Sequence, residues 1–354
     1  MKKLLCMALS AVCLLTTACS PVVKTNEEAV SHVKDERHFD YDASHYPVTV
    51  KTINSKGEWE EQTFTKPPER VATVWQNSVE TLLALGVGDR VVASMGLPDK
   101  KYLRPAYQAQ YEKIPYQSFE LLGVESLMML EPDFIVGWYS TFATKTLRGT
   151  DFWHSRGVHT YITPASAPVQ DKSGPIPKPM PRTLDEEYQD ILNMGAIFDK
   201  RDKAEELVNQ MKDEVEYARE ETKDLPVRPR AMVIEFLSKE MNLYNQRSLA
   251  GYMVQTLGGD LLLPKNDAIS IEQIVEQDPD AIFVVVIESS YGNEQQVLDH
   301  VYKHPALQNL TAVKNHRVYP LPLYSIYSPG VRAYDGIKII SRGLYPELYK
   351  DGEK

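Results

Sequence analysis

The chain has 354 residues, of which 43% are apolar and 25% charged, and its formal net charge is −10. That length accommodates two domains of ordinary size with substantial cores; with no basic stripe anywhere, nucleic acid is excluded as a partner. All three cysteines (Cys6, Cys13 and Cys19) lie in the first nineteen residues, so the remainder uses neither disulfides nor a cysteine nucleophile.

Residues 1–19 read as a targeting segment. Lys2 and Lys3 give a positive start, and the apolar run over 4–15 is too short to cross a bilayer. Thr16-Thr17-Ala18-Cys19 resembles the lipobox of bacterial lipoproteins, although the usual large aliphatic residue three before the cysteine is Thr16, with Leu15 one place earlier. The resemblance implies lipidation at Cys19 and a membrane anchor; the alternative is a plain secretory signal cut nearby. Residues 20–46 are polar and aperiodic, and read as a tether.

A β-hairpin is predicted over 46–65, turning at Gly57. The first buried strand spans 70–74, with Trp75, Gln76 and Asn77 directly at its exit and a helix over 78–85. A second strand, 90–93, runs out through Met95, Gly96 and Pro98 into loops rich in tyrosine (Tyr102, Tyr107, Tyr111, Tyr116). A further strand ends at Gly137, Trp138 and Tyr139, and a helix–strand pair reaches Ile162. Residues 164–182 hold six prolines and read as a long functional or mobile loop.

The stretch 183–222 organises the chain. Thr183 and Glu186 form a capping-box pattern for a first helix. In a second, Ala204, Leu207, Val208, Met211, Val215 and Ala218 make an apolar stripe at three- and four-residue spacing. Asp202 with Glu205 reads as its N-cap pair, and Pro226 stops the run. What flanks these helices is repeated. Residues 123–136 and 270–283 each place a glutamate (Glu125, Glu272) in a short amphipathic helix, then Pro-Asp, then a continuous apolar run of the kind found in buried parallel strands. Leu85-Gly86-Val87-Gly88-Asp89 is echoed by Leu257-Gly258-Gly259-Asp260. Two αβ copies around a helical spacer imply two lobes.

The second half opens with a strand over 230–236, a loop containing Tyr244 and Arg247, and a helix over 250–257. A strand over 282–287 leads to a loop with Glu288 and Tyr291. A helix near 297–303 and a strand over 317–320 follow, then Tyr324, Tyr327 and Arg332 before a terminal helix from Ala333.

The order of these motifs resembles the substrate-binding lipoproteins of bacterial ABC importers, in the helical-backbone class that serves ferric siderophores, haem and cobalamin. The resemblance runs from about residue 47 to the end and rests on five features. They are Pro68-Glu69-Arg70-Val71; the run over 80–89; the two Glu–Pro-Asp units; Ala312-Val313-Lys314-Asn315 with Arg317-Val318-Tyr319; and Pro329-Gly330-Val331-Arg332 with Asp335-Gly336. It implies an α/β fold of two Rossmann-like lobes with mainly parallel central sheets, joined by a long rigid helix, with ligand in the cleft between them. The expected division is a signal peptide over 1–19, a tether over 20–46, an N-terminal lobe over 47–182, a helical pair over 183–226 and a C-terminal lobe over 227–354. It further implies an extracytoplasmic monomer partnered by a permease and its ATPase, with Glu125 and Glu272 docking on permease arginines. The bland alternative for both glutamates is a carboxylate placed favourably at a helix N-terminus.

In open parallel sheets, ligands lie where loops leave the carboxyl ends of strands. The residues at those exits are Trp75, Gln76, Met95, Trp138, Tyr139, Tyr244, Arg247, Tyr291, Tyr324, Tyr327 and Arg332. Aromatics offer flat apolar walls, and arginine offers a permanent charge for carboxylate or catecholate oxygens. A ferric siderophore is therefore the expected ligand, with haem or cobalamin as alternatives and no resident cofactor or metal. A bare metal-ion carrier would use His300 with His304, or His154 with His159, but the first pair falls on a helix away from the strand exits. An enzyme is not indicated: Gly86 and Gly88 lack the third glycine of a dinucleotide fingerprint and follow a helix.

Overall fold

A computed structural model describes residues 39–168, 170–171, 178–179, 181–237, 241–263 and 269–349. The targeting segment, Cys19, most of the tether and part of the proline-rich stretch lie outside the described residues.

Strands β1 (Val48–Ile53) and β2 (Trp59–Phe64) form the expected antiparallel hairpin. The N-terminal sheet follows. It contains β3 (Val71–Val74), β4 (Val91–Met95), β5 (Tyr116–Ser118), β6 (Phe134–Gly137) and β7 (His159–Ile162), all parallel, in the order β5-β4-β3-β6-β7. Its helices are α1 (Gln76–Ala84), α2 (Pro105–Tyr111), α3 (Val124–Met129) and α4 (Thr150–His154). The tyrosine-rich stretch thus contains a helix and an edge strand rather than loops alone. Proline at the first turn of α2 is pre-set for helix, a signal outweighed in the sequence by the lack of an apolar stripe. The two-residue strands β8 (Gln170–Asp171) and β9 (Lys178–Pro179) pair within the proline-rich stretch.

Helices α5 (Leu184–Ile197) and α6 (Arg201–Thr222) come next. The capping box of Thr183 and Glu186 is present, and all six residues of the α6 stripe are buried. Asp202 is not the N-cap of α6. Asp199 takes a left-handed conformation (φ +57°) that turns the chain sharply out of α5, so Lys200 caps α6 and Asp202 falls in its first turn. A Cβ at Gly195 would lie 2.3 Å from that of Ala204, so glycine permits α5 and α6 to touch. At about 1.5 Å per residue, the 22 residues of α6 run from the hairpin of the first lobe to the end of the second. At its start Arg201 donates to the His45 carbonyl, next to where Tyr46 Oη donates to the carbonyl of Ile197 at the end of α5 (2.7 Å). Farther along, Tyr349 Oη donates to Glu214 at 2.9 Å.

The C-terminal sheet holds β10 (Arg230–Phe236), β11 (Met241–Leu243), β12 (Asp260–Leu261), β13 (Ala281–Val286) and β14 (Val318–Pro322), ordered β11-β10-β13-β14 with β12 beside β10; only β11 is antiparallel. Around it lie α7 (Leu249–Thr256), α8 (Ile271–Gln277), α9 (Glu294–Tyr302), α10 (Thr311–Lys314) and α11 (Ala333–Leu344). The two Pro-Asp motifs do the same mechanical work in each lobe. Asp133 accepts the backbone N–H groups of Glu69 and Arg70, and Asp280 that of Arg230. The Arg70 and Arg230 guanidinium groups in turn donate to the last carbonyls of α3 and α8. The glycine echo is equally literal: Gly86 and Gly258 both adopt positive φ and end α1 and α7 with the same pair of backbone hydrogen bonds.

The loop over 328–332 wedges the second lobe into the first. Gly330 N–H donates to Glu187 on α5 at 3.0 Å, and a Cβ at Gly330 would meet Thr81 of α1 at 2.6 Å.

Candidate ligand-binding site

Because β3 and β6 are neighbours, their carboxyl ends deliver Trp75 and Trp138 side by side. The indoles stack with centroids 5.0 Å apart and planes 21° from parallel. Tyr327, from the opposite lobe, meets Trp138 edge-on at 5.1 Å. Gln76, Tyr244, Tyr324 and Arg332 join these three around one cavity of about 440 Å³, within the ordinary range of ligand pockets. Seven of the eleven expected residues therefore share one crevice between the lobes.

Trp75 holds its place under backbone strain. Its φ of +74° and ψ of 157° belong to a region otherwise left to glycine, and its N–H donates to the Met95 carbonyl at 2.8 Å. Beneath the indole lies Gly96, at φ +83°, where a Cβ would come within 2.8 Å of Trp75 Cε3. Met95 itself does not reach the cavity. It ends a wholly buried strand, and its thioether accepts the Leu122 N–H in the layer between sheet and helices. The strand exit was legible, but the side of the sheet on which Met95 falls was not.

Three other expected residues also stand outside the cavity wall. Tyr139 packs against the core of the first lobe, and its N–H donates to Ser166 Oγ. The Arg247 carbonyl accepts from the Arg182 N–H in the loop before α7, away from the cavity. Tyr291 is buried behind Tyr324, packing edge-on to it (5.3 Å) and to Tyr102 (4.9 Å), and its hydroxyl accepts the Tyr324 N–H. Burial, reinforced by the charge of Glu288, pushes its phenol well above the ordinary range. The wall also includes residues that sequence reasoning did not select: Asn77, Gly96, Pro98, Phe119, Glu235, Glu288 and Leu323. Phe119 follows a three-residue edge strand that carried no pattern, and Glu235 sits inside an apolar strand where its orientation is decided by the sheet.

The cavity floor is a closed ring of charge that ties the lobes together. Arg332, buried, pairs with Glu80 at 2.9 Å and with Asp335 at 2.7 Å. Asp335 also pairs with Arg104 at 2.8 Å, and the Arg104 backbone N–H returns to Glu80 at 2.9 Å. Burial works against the charge on Arg332, but Glu80 and Asp335 more than offset it and raise the guanidinium pKa. The Arg332 guanidinium further lies 4.7 Å from the centroid of Tyr324, a cation–π arrangement.

Glu125 and Glu272 occupy equivalent, exposed positions in the first turns of α3 and α8. Each helix runs back along the strand that follows it, so each N-terminus lies toward the carboxyl edge of its sheet. Exposed apolar side chains stand one turn on, Met128 and Met129 beside Glu125 and Val275 beside Glu272. A hydrogen bond to its own backbone N–H and the Ser270 hydroxyl hold the Glu272 carboxyl below its usual range.

The histidines have other occupations. His300 stacks on Phe236, His304 accepts the Ala306 N–H, His154 bonds Thr160, and His159 lies against Phe64. Among the described residues there is no group of three metal-ligating side chains, and no helix is long and apolar enough to cross a membrane.

Two α/β lobes that enclose an aromatic crevice and are braced by one long helix define a bilobal solute-binding protein. Residues 71–324 match the family described as "Periplasmic binding protein", and the chain belongs to that family, whose members bind solutes rather than catalyse reactions. A periplasmic binding protein of Veillonella parvula DSM 2008 is 40% identical and superposes with a TM-score of 0.80, over 87% of this chain and 94% of that one. YvrC of Bacillus subtilis (strain 168), described as an uncharacterized ABC transporter substrate-binding lipoprotein, is 22% identical over 319 residues, 86% of this chain and 88% of its own. A structure from the ABC-type Fe3+-hydroxamate transport system of Saccharomonospora viridis DSM 43017 is 23% identical, with a TM-score of 0.65 over 84% of this chain and 99% of that one.

Proposed function

We propose that the chain is the extracytoplasmic receptor of an ABC importer, anchored through Cys19, and that it captures a bulky metal chelate, a ferric siderophore foremost. The observation that carries this reading is the aromatic cluster of Trp75, Trp138 and Tyr327, built from both lobes around one cavity. Such walls contribute dispersion and apolar burial to a large, flat-sided ligand. Phe119 and Tyr327 remain substantially exposed at the rim although both are large and apolar, as expected of a surface awaiting a partner. Loaded receptor would dock on the permease through Glu125 and Glu272, one acid per lobe, and the partner ATPase would drive transport.

The test uses the stacked indoles themselves. Intrinsic tryptophan fluorescence is titrated with a ferric trihydroxamate, a ferric tris-catecholate, haemin and cyanocobalamin. Sub-micromolar quenching by at least one chelate, lost in Trp138→Ala, is the expected result. Quenching by free divalent or ferric ion alone, or by none of these probes, overturns the reading.

A further inference from the structure

The charges facing the cavity decide which chelates it can hold. Arg332 is the single cation on the wall among the described residues, and its charge is already matched within the floor ring, where two arginines meet two carboxylates. Two further carboxylates face the cavity from the second lobe. Glu235 leaves β10, and Glu288 opens the short turn after β13. Glu235 Oε2 accepts the Tyr244 hydroxyl at 3.0 Å. Among the described residues, neither carboxylate has a lysine, arginine or histidine at ion-pair distance. Arg182 lies in a separate hollow of about 340 Å³ behind Tyr244 and Tyr327, where its guanidinium donates to the carbonyls of Pro164 and Ala167.

An anionic ligand would therefore exchange its hydration for a partly enclosed wall of like charge, and juxtaposed like charges suppress binding strongly. A cation would gain both from the carboxylates and from the negative faces of the indoles, and a neutral ligand would meet no like-charge repulsion. We infer that Glu235 and Glu288 make this cleft selective for uncharged or cationic metal chelates and exclude polyanionic ones. This rests on the receptor reading above. Hydroxamates just balance the charge of ferric iron, and an amine tail makes such a complex cationic; a corrinoid is close to neutral at its face. Tris-catecholates and haem, with its two propionates, are anionic.

The experiment titrates the full chain with a cationic ferric trihydroxamate, a neutral one, cyanocobalamin, a ferric tris-catecholate and haemin, in wild type and in Glu235→Gln, Glu288→Gln and the double variant. Wild type is expected to bind a neutral or cationic probe at least about tenfold more tightly than either anionic one. The double variant is expected to narrow the gap, weakening the cationic probe about tenfold relative to the neutral one. Glu288→Gln alone, at an exposed residue, should move the gap in the same direction even if loss of the Tyr244 hydrogen bond perturbs Glu235→Gln. Preference for cyanocobalamin over the hydroxamates would uphold the inference and replace the siderophore with a corrinoid. Tightest binding of the tris-catecholate or haemin, or a charge preference unchanged in the double variant, overturns the inference and leaves the receptor reading intact. Binding of no chelate overturns both.

Discussion

Trp75 occupies backbone space that ordinarily belongs to glycine, and Gly96 supplies the room its indole needs. Strain of this kind costs about 1–3 kcal/mol and persists only where the surroundings enforce it. Here the enforcing groups are the Met95 carbonyl, the Trp138 ring and the bare Cα of Gly96. Gly96→Ala is expected to push the indole off Trp138 and to strain a left-handed residue, weakening chelate binding by about tenfold or more and stability by about 1–3 kcal/mol. Fluorescence titration and urea unfolding measure the two effects separately. Wild-type affinity in this variant would mean that the stack is incidental to binding.

Buried charge is concentrated where elements of the two lobes meet. Removing one member of the floor ring leaves its partner uncompensated: Arg332→Ala, facing the wholly buried Glu80, is expected to destabilise by about 3–5 kcal/mol. The urea midpoint should fall with an unchanged slope. The double variant Glu80→Gln with Arg332→Met should recover part of that loss, because neither charge is then stranded. Helix α5 carries a second buried group. Burial pushes the carboxyls of Glu187 and Asp190 upward, Asp190 to about 7 from 3.8, and Asp190 accepts the Tyr161 hydroxyl at 2.6 Å. A carboxyl whose pKa is raised by folding favours the fold while protonated, so its contribution is complete below about pH 4 and is lost as pH rises through about 7. Stability should therefore decline between about pH 4 and 7 and level off above, by up to about 1.4 kcal/mol per pH unit for one such group. Asp190→Asn should flatten that slope, which chemical unfolding at several pH values measures. A slope unchanged in this variant would assign the pH dependence elsewhere.

At the scale of the whole molecule, α6 braces both lobes, and the loop over 328–332 locks into α1 and α5. Ligand is therefore expected to draw the lobes together only slightly, which leaves the spacing of Glu125 and Glu272 well defined for docking. Charge reversal at both (Glu125→Arg with Glu272→Arg) is expected to abolish uptake in cells while chelate affinity in solution stays within about twofold, since exposed charges far from a site couple weakly to it. Normal uptake by the double variant would remove the docking role.

Much of this could be read from the chain because local rules and tertiary demands agree. The α6 stripe, the capping box at Thr183, the glycine ends of α1 and α7 and the paired Pro-Asp motifs each satisfy a backbone or burial requirement within a few residues. Strand exits were equally legible, which located Trp75, Trp138 and Tyr327. The sequence alone could not tell Met95 from Gly96, because only the packed sheet decides which side a terminal strand residue faces. Nor could it reveal that Glu80 and Arg104 close the ring around Arg332 and Asp335, or that Glu235 and Glu288 face the cavity instead. Those placements join residues more than a hundred positions apart, and only the assembled lobes decide which charges remain for a ligand.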